Sequence, residues 1–286
     1  MAGVAVLTDS TSSLSPGRAQ SAGVSVIALQ VVVDEVSRSE CHDDVTADLV
    51  ARALRAGRTV TTSRPSPEAF SLRYVELAAA GYDAVVSVHL SRALSATCEA
   101  ATMAAEAASI PVTVVDSTTI AMATGFAVLS GAAAAATGSN AAEVAAVVRR
   151  RASAATTYFY VDTLDYLRHG GRIGAAAALM GTALSVKPLL TVTKGTIRPH
   201  ERVRTASKAL VRLEDLAVAA FSRAAAGGSA VDVAVHHLDN SAGAQALADR
   251  LRERLPGVGD LITAEVSAVL GAHVGPGTLG IVVSPR

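Results

Sequence analysis

The sequence has no tryptophan, and only five tyrosines and four phenylalanines among 286 residues. That scarcity removes the aromatic platforms on which single-stranded nucleic acids stack. An excess of charge is missing too, since 25 basic residues balance 25 acidic ones. Nucleic-acid binders carry a basic excess to neutralise phosphates, so no nucleic-acid partner is expected. The basic residues are nearly all arginine, 22 against three lysines, and much of the apolar half of the chain is alanine. Both biases follow from genomic base composition as readily as from function.

Long hydrophobic runs are also absent. A membrane span needs about 20 consecutive apolar residues, and the longest candidate, Gly125 to Thr137, is short and mostly alanine. The N-terminal run Val4–Leu7 stops at Thr8-Asp9 with no basic residue before it, unlike a signal peptide. No stable membrane insertion and a cytoplasmic location are expected. The two cysteines, Cys41 and Cys98, fit neither C-x-x-C nor zinc-site spacing. They read as ordinary thiols in a reducing compartment.

The familiar catalytic signatures fail as well. There is no G-x-S-x-G elbow and no G-x-x-x-x-G-K-[ST] phosphate loop. Gly275 to Gly280 matches G-x-G-x-x-G, but only six residues follow, too few for the helix that a dinucleotide site requires. His236 and His237 are neighbours on a predicted strand, so their rings face opposite sides and do not readily share an ion. No metal is expected there. Arg149-Arg150-Arg151 reads as a solvated helix face. His273, beside glycines just before the last strand, is a more interesting position.

What is present is a regular alternation. Apolar runs at Val4–Leu7, Ser25–Val33, Asp83–His89 and Pro111–Val115 predict strands. Between them lie helical stretches: Ser15-Pro16 pairs a cap residue with proline at the first helical position, Thr46 to Ala56 shows helical spacing, and Ser66-Pro67-Glu68 opens a third. Helical material then runs to about Ala154, with Asn140 as a cap. Strands alternating with helices imply parallel βαβ units. The second half differs. Thr157–Val161, Leu189–Thr193, Thr196–Arg198, Val231–His237, Asp260–Val266 and Leu279–Val283 predict strands. Lys194-Gly195 is a hairpin turn, and helices are expected at Thr205–Ala225 and Ser241–Leu255. The expected fold is α/β and two-lobed: residues 1–154 with a parallel doubly wound sheet, and residues 155–286 with a mixed sheet.

Ligands of open parallel sheets bind beyond the carboxyl ends of the strands. Three predicted strand ends there run into hydroxyl-rich loops, Thr8–Ser13, Ser91–Thr97 and Asp116–Thr119. The predicted loop at Thr61-Thr62-Ser63-Arg64-Pro65 adds a fourth. Converging hydroxyls and helix N-termini suit a carboxylate or phosphate. Taken singly, each loop is equally served by helix capping.

These loops carry a resemblance. Thr8-Asp9-Ser10-Thr11, Thr62-Ser63-x-Pro65-Ser66-Pro67 and Leu94-Ser95-x-Thr97 resemble the DegV family of fatty-acid-binding proteins. So do Asp162-x-Leu164-x-Tyr166-Leu167, Gly170-Gly171-Arg172-Ile173, Lys187-Pro188, Arg204 and His273-x-Gly275-Pro276-Gly277, in the same order along nearly the whole chain. The resemblance implies two lobes with a long-chain fatty acid between them, handed to a separate ATP-dependent fatty-acid kinase that forms an acyl phosphate. It implies that Thr62 and Ser95 bond the carboxylate, with Arg204 and His273 near the mouth, and that no cofactor beyond the bound lipid is needed. Three positions depart from the family pattern: Arg64 stands for a common glutamine, Ala96 for a glycine and Cys98 for a tyrosine. They leave chain preference and partner docking open.

Two rival readings stand beside the carrier. One is an acyl hydrolase with Ser95 or Ser10 as nucleophile and His273 or His89 as base, which would need a third group to orient the base. The other is a chemically silent lipid sensor.

Overall fold

The computed structural model describes residues 3–40, 45–179 and 187–286, so Cys41 lies outside the described residues. The first half runs β1 (Val4–Asp9), α1 (Pro16–Ser21), β2 (Val24–Ile27), β3 (Gln30–Val33), β4 (Val36–Ser39), α2 (Ala47–Arg55) and β5 (Val60–Ser63). It continues with α3 (Pro67–Ala79), β6 (Ala84–His89), α4 (Thr97–Ala105), β7 (Val112–Asp116), α5 (Ala121–Ala136) and α6 (Ala141–Ala154). Strands β2-β1-β6-β7 form a four-stranded sheet, parallel throughout. Alternate residues of β1 and β6 face opposite layers. Val6, Val86 and Val88 join Ala127, Val128, Val144 and Val148 of α5 and α6. Ala5, Leu7 and Val85 meet Phe70, Tyr74 and Ala101 of α3 and α4. Helices thus cover both faces, as a doubly wound sheet demands.

The helix starts follow the caps. Ser15, Thr46 and Ser66 each accept a hydrogen bond from a backbone N–H of the first turn. Asn140 and Glu143 form a reciprocal capping box at the start of α6.

The second half continues with β8 (Thr156–Tyr160), α7 (Asp165–His169), β9 (Lys187–Thr193), β10 (Thr196–Val203), α8 (Ala206–Ala225), β11 (Val231–His237), α9 (Ser241–Arg254), β12 (Leu261–Glu265), α10 (Ala268–Val274) and β13 (Leu279–Pro285). Its strands form a mixed sheet ordered β10-β9-β8-β13-β11-β12. Leu213 and Phe221 of α8, with Leu247 and Leu251 of α9, pack on Val233, Val235 and Ile281 to cover one face. The β9–β10 hairpin turns at Lys194 (φ 49°) and Gly195 (φ 75°), the positive angles that a tight hairpin needs. The tip at Gly195 presses on Ser91 and Thr118 of the first lobe, so a side chain there would collide with the Ser91 hydroxyl.

Three expectations change. The run Ser25–Val33 is not one strand: it breaks at Ala28-Leu29, and β3 joins a separate antiparallel sheet ordered β4-β3-β5. Thr61-Thr62-Ser63 is therefore strand β5, with Thr62 opposite Val31, and not a loop. β-branched threonines favour this pleated geometry. The arginine run is not wholly solvated either. Arg149 and Arg150 are exposed, but Arg151 is 7% exposed and bonds Asp232, Ser130 and Ser284. Its guanidinium lies 5.2 Å from the centre of the Phe126 ring. Asp232 also accepts from Arg286 and from the Asp260 N–H, so this cluster clasps α5 and α6 to β11 and β13. Alongside it, Met122, Ala123 and Phe126 of α5 pack on Ala234 and Val282.

Candidate functional site

The face of the six-stranded sheet opposite α8 and α9 looks back towards the carboxyl ends of β1, β6 and β7. Between them lies a partly enclosed cavity; its empty space and open mouth together come to about 890 Å³. The first lobe lines it with Leu29, Leu90, Leu94, Ile120 and Ala121, and the second with Phe159, Leu167, Ile197, Ile281 and Val282. Helix α10 is one wall, contributing Val269, Leu270, His273 and Val274. Its N-terminus is held by Ser267, which caps Leu270, and by the buried Glu40, which accepts from the Val269 N–H. Burial pushes the Glu40 carboxyl above its ordinary value, while Ser10 and the α10 amides oppose the shift.

Polar groups gather at one end. Thr62 Oγ1 lies 2.8 Å from His273 Nε2. His273 packs against Gly170, where any side chain would strike the ring. The carbonyl of Gly170 accepts from Arg172 Nη1 at 2.7 Å, and Arg172 Nε donates to the Leu94 carbonyl at 3.2 Å, next to Ser95. Ser95 Oγ is 2.9 Å from Thr97 Oγ1. Thr62, His273, Arg172 and Ser95 are thus a connected set on four separate segments. The exposed Ser63 and Arg64 mark where it meets solvent. Burial, reinforced by the Arg172 charge, lowers the His273 pKa to about 4, so this imidazole is neutral near pH 7. Arg172 is the half-buried cation of the cluster.

Three of the four residues expected at the site therefore line one cavity: Thr62, Ser95 and His273. Arg204 does not. It is exposed just past the end of β10, outside the lining. Arg172, quoted above only as part of a motif, is a cation lining this polar end. Of the four hydroxyl-rich segments, Thr8–Ser13 and Asp116–Thr119 contribute no residue to the cavity lining. Ser10 Oγ accepts from the Leu29 N–H, and Ser117 Oγ pairs with Thr124.

The hydrolase pairings do not form. Ser95 and His273 bond to Thr97 and Thr62, as above, while His89 bonds Ser87 and Asp9 at 2.7 and 2.9 Å. Asp9, His89 and Ser87 have the connectivity of a triad, but all three are 0% exposed and Tyr74 donates to the serine. Asp9 also accepts from the Thr11 and Leu90 amides. The network secures the ends of β1 and β6. His236 and His237 separate as their strand position requires, and His236 turns inward to the cavity. Among the described residues no cluster of three metal-ligating side chains forms, and no helix is long and apolar enough to cross a membrane. Cys98 is a free, buried thiol, pushed up to about 12 by burial and then by the nearby Asp116.

Fold and cavity together define a two-lobed α/β protein with an internal apolar chamber and a polar end. The chain belongs to the DegV family: the family described as "Uncharacterised protein, DegV family" matches residues 3–286. It is 51% identical over 283 residues to a DegV domain-containing protein of Streptomyces coelicolor, covering 99% of both chains. It is 35% identical over 282 residues to one from Mycobacterium tuberculosis, covering 98% of this chain and 96% of that one. Among solved structures, a fatty-acid-binding DegV family protein from Thermus thermophilus superposes with a TM-score of 0.90 at 31% identity, covering 99% of this chain and 100% of that one. DegV from Bacillus subtilis, described as a fatty acid binding protein, gives 0.89 at 29% identity with both chains fully covered.

Proposed function

We propose that this protein binds one long-chain fatty acid between its lobes, residues 1–154 and 155–286, and presents the carboxylate to a separate ATP-dependent fatty-acid kinase. The observation that carries the reading is the apolar cavity ending in Thr62, Ser95, Arg172 and His273. Fatty-acid binding by the solved relatives from Thermus thermophilus and Bacillus subtilis supports it. The division of labour is physical. A buried methylene is stabilised by about 0.8 kcal/mol, so a tail of roughly sixteen carbons gains on the order of 10 kcal/mol before ordering costs. Hydroxyls at Thr62 and Ser95 give the carboxylate direction, and a guanidinium keeps it ionised. The tail supplies affinity and the head group sets orientation. No cofactor enters this scheme other than the lipid.

Presentation is tested by separating retention from transfer. Ser95→Ala and His273→Ala should each keep measurable bound lipid, because the tail stays buried. Kinase-coupled acyl-phosphate formation should fall much further, since in-line transfer tolerates little misplacement of the attacking oxygen. Lipid loss that fully accounts for the lost turnover contradicts presentation. Bound lipid without kinase-dependent turnover supports the sensor, and ester hydrolysis abolished by Ser95→Ala in the absence of kinase supports the hydrolase.

A further inference from the structure

We infer that Gly280 sets how far the lipid tail reaches, by leaving an open slot in the central part of the six-stranded sheet. The inference rests on the fatty-acid reading above and adds a determinant of chain length to it. Gly280 lies on β13, which runs between β8 and β11. Its cross-strand neighbours are Phe159 on one side and His236 on the other, and all three border the cavity. Neither backbone nor space demands glycine here. The φ angle is outside the left-handed region, and an added Cβ would stand 3.4 Å from Phe159 Cβ and 3.6 Å from His236 Cβ, ordinary contact distances. Glycine inside a strand gives up side-chain contacts and marks a place where something else approaches the backbone closely.

The His236 wall of the slot is held by two hydrogen bonds. His236 is buried, its Nε2 accepts from the Met122 N–H at 3.2 Å, and its Nδ1 donates to the Ala264 carbonyl at 3.2 Å. Both ring nitrogens are used, so the ring cannot swing across Gly280 without breaking two buried bonds. Burial, opposed by the Ala264 bond, lowers the His236 pKa to about 4, which keeps the ring in this neutral bonding pattern. Phe159 is buried on the other side. Two residues along β13 on the same face, Val282 carries the lining onward beneath α5. A tail lying over Gly280 therefore passes between these two buried rings.

The test is the chain-length profile of lipid extracted from purified wild type, Gly280→Ala and Gly280→Val, read by mass spectrometry. Valine fits a strand backbone but fills the slot. Its bound lipids should be shorter by about two to four carbons, as its volume displaces close-packed tail. Gly280→Ala adds one methyl at ordinary contact distances and is expected to keep the fold. Its affinity for the longest tails, measured by competition between saturated acids of graded length, should drop at least about threefold relative to shorter ones. Unchanged profiles and unchanged relative affinities in lipid-loaded variants overturn the slot while leaving the fatty-acid reading intact. Wild-type protein that takes up no fatty acid overturns both.

Discussion

Replacing Arg172 by alanine tests whether the head group is held as an anion. Arg172 is fastened by the carbonyls of Gly170 and Leu94, which places its guanidinium between His273 and Ser95. A hydrogen bond to a charged group is worth about 1.5–3 kcal/mol, so Arg172→Ala should weaken fatty-acid binding roughly ten- to hundredfold. Arg172→Lys keeps the charge but loses the planar fork and should fall between the two. The assay is competition binding at neutral pH of a fatty acid and its methyl ester, which shares the tail but carries no charge. Only the free acid should lose affinity. A parallel histidine titration by NMR gives an internal check. The His273 pKa should rise when the Arg172 charge goes, yet stay below its ordinary value because burial remains. Equal losses for acid and ester would refute the reasoning and assign Arg172 to holding the Leu94-Ser95 segment in shape.

Asp232→Ala strands the buried Arg151 guanidinium; an uncompensated buried charge costs about 3–5 kcal/mol. The melting temperature should drop by on the order of 10 °C, and the pairing is contradicted if thermal denaturation shows no change. Glu40 has a raised pKa, so the folded state holds its proton more tightly and stability is lost as pH rises from the unfolded value of 4.5 through the folded one. Glu40→Gln should therefore raise the melting temperature at neutral pH, with the gain vanishing below the ordinary carboxylate range; an equal gain at all pH values contradicts this. Arg204→Ala and Arg150→Ala should leave the amount of bound lipid unchanged, since both side chains are exposed and outside the cavity lining. Any deficit from Arg204→Ala should fall on transfer alone, as lipid quantification beside coupled turnover will show.

Much of the architecture was legible because local signals agreed with tertiary ones. Val231–His237, with valines at alternate positions 231, 233 and 235, forms β11 end to end. Thr205, Asn140 and Ser66 stand where helices begin, and Lys194-Gly195 turns the hairpin. The antiparallel β4-β3-β5 sheet was hidden because its strands are four residues each and two consist mostly of serine, threonine or arginine. Helix α10 escaped for the opposite reason: seven residues, almost all apolar, show no period, and only the cap at Ser267 announced it. Thr62, Ser95 and His273, which line the cavity, were singled out through motif resemblance. Arg172 was not singled out, because its place depends on a contact with Leu94, 78 residues away. Arg151 looked like its neighbours, and only its partner 81 residues away distinguishes it.

The most direct test of the account is native mass spectrometry of the purified protein. One adduct per chain with the mass of a long-chain fatty acid, present as isolated or restored by adding the free acid, is the predicted result. A spectrum of bare chain that stays bare after incubation with long-chain fatty acids would contradict it.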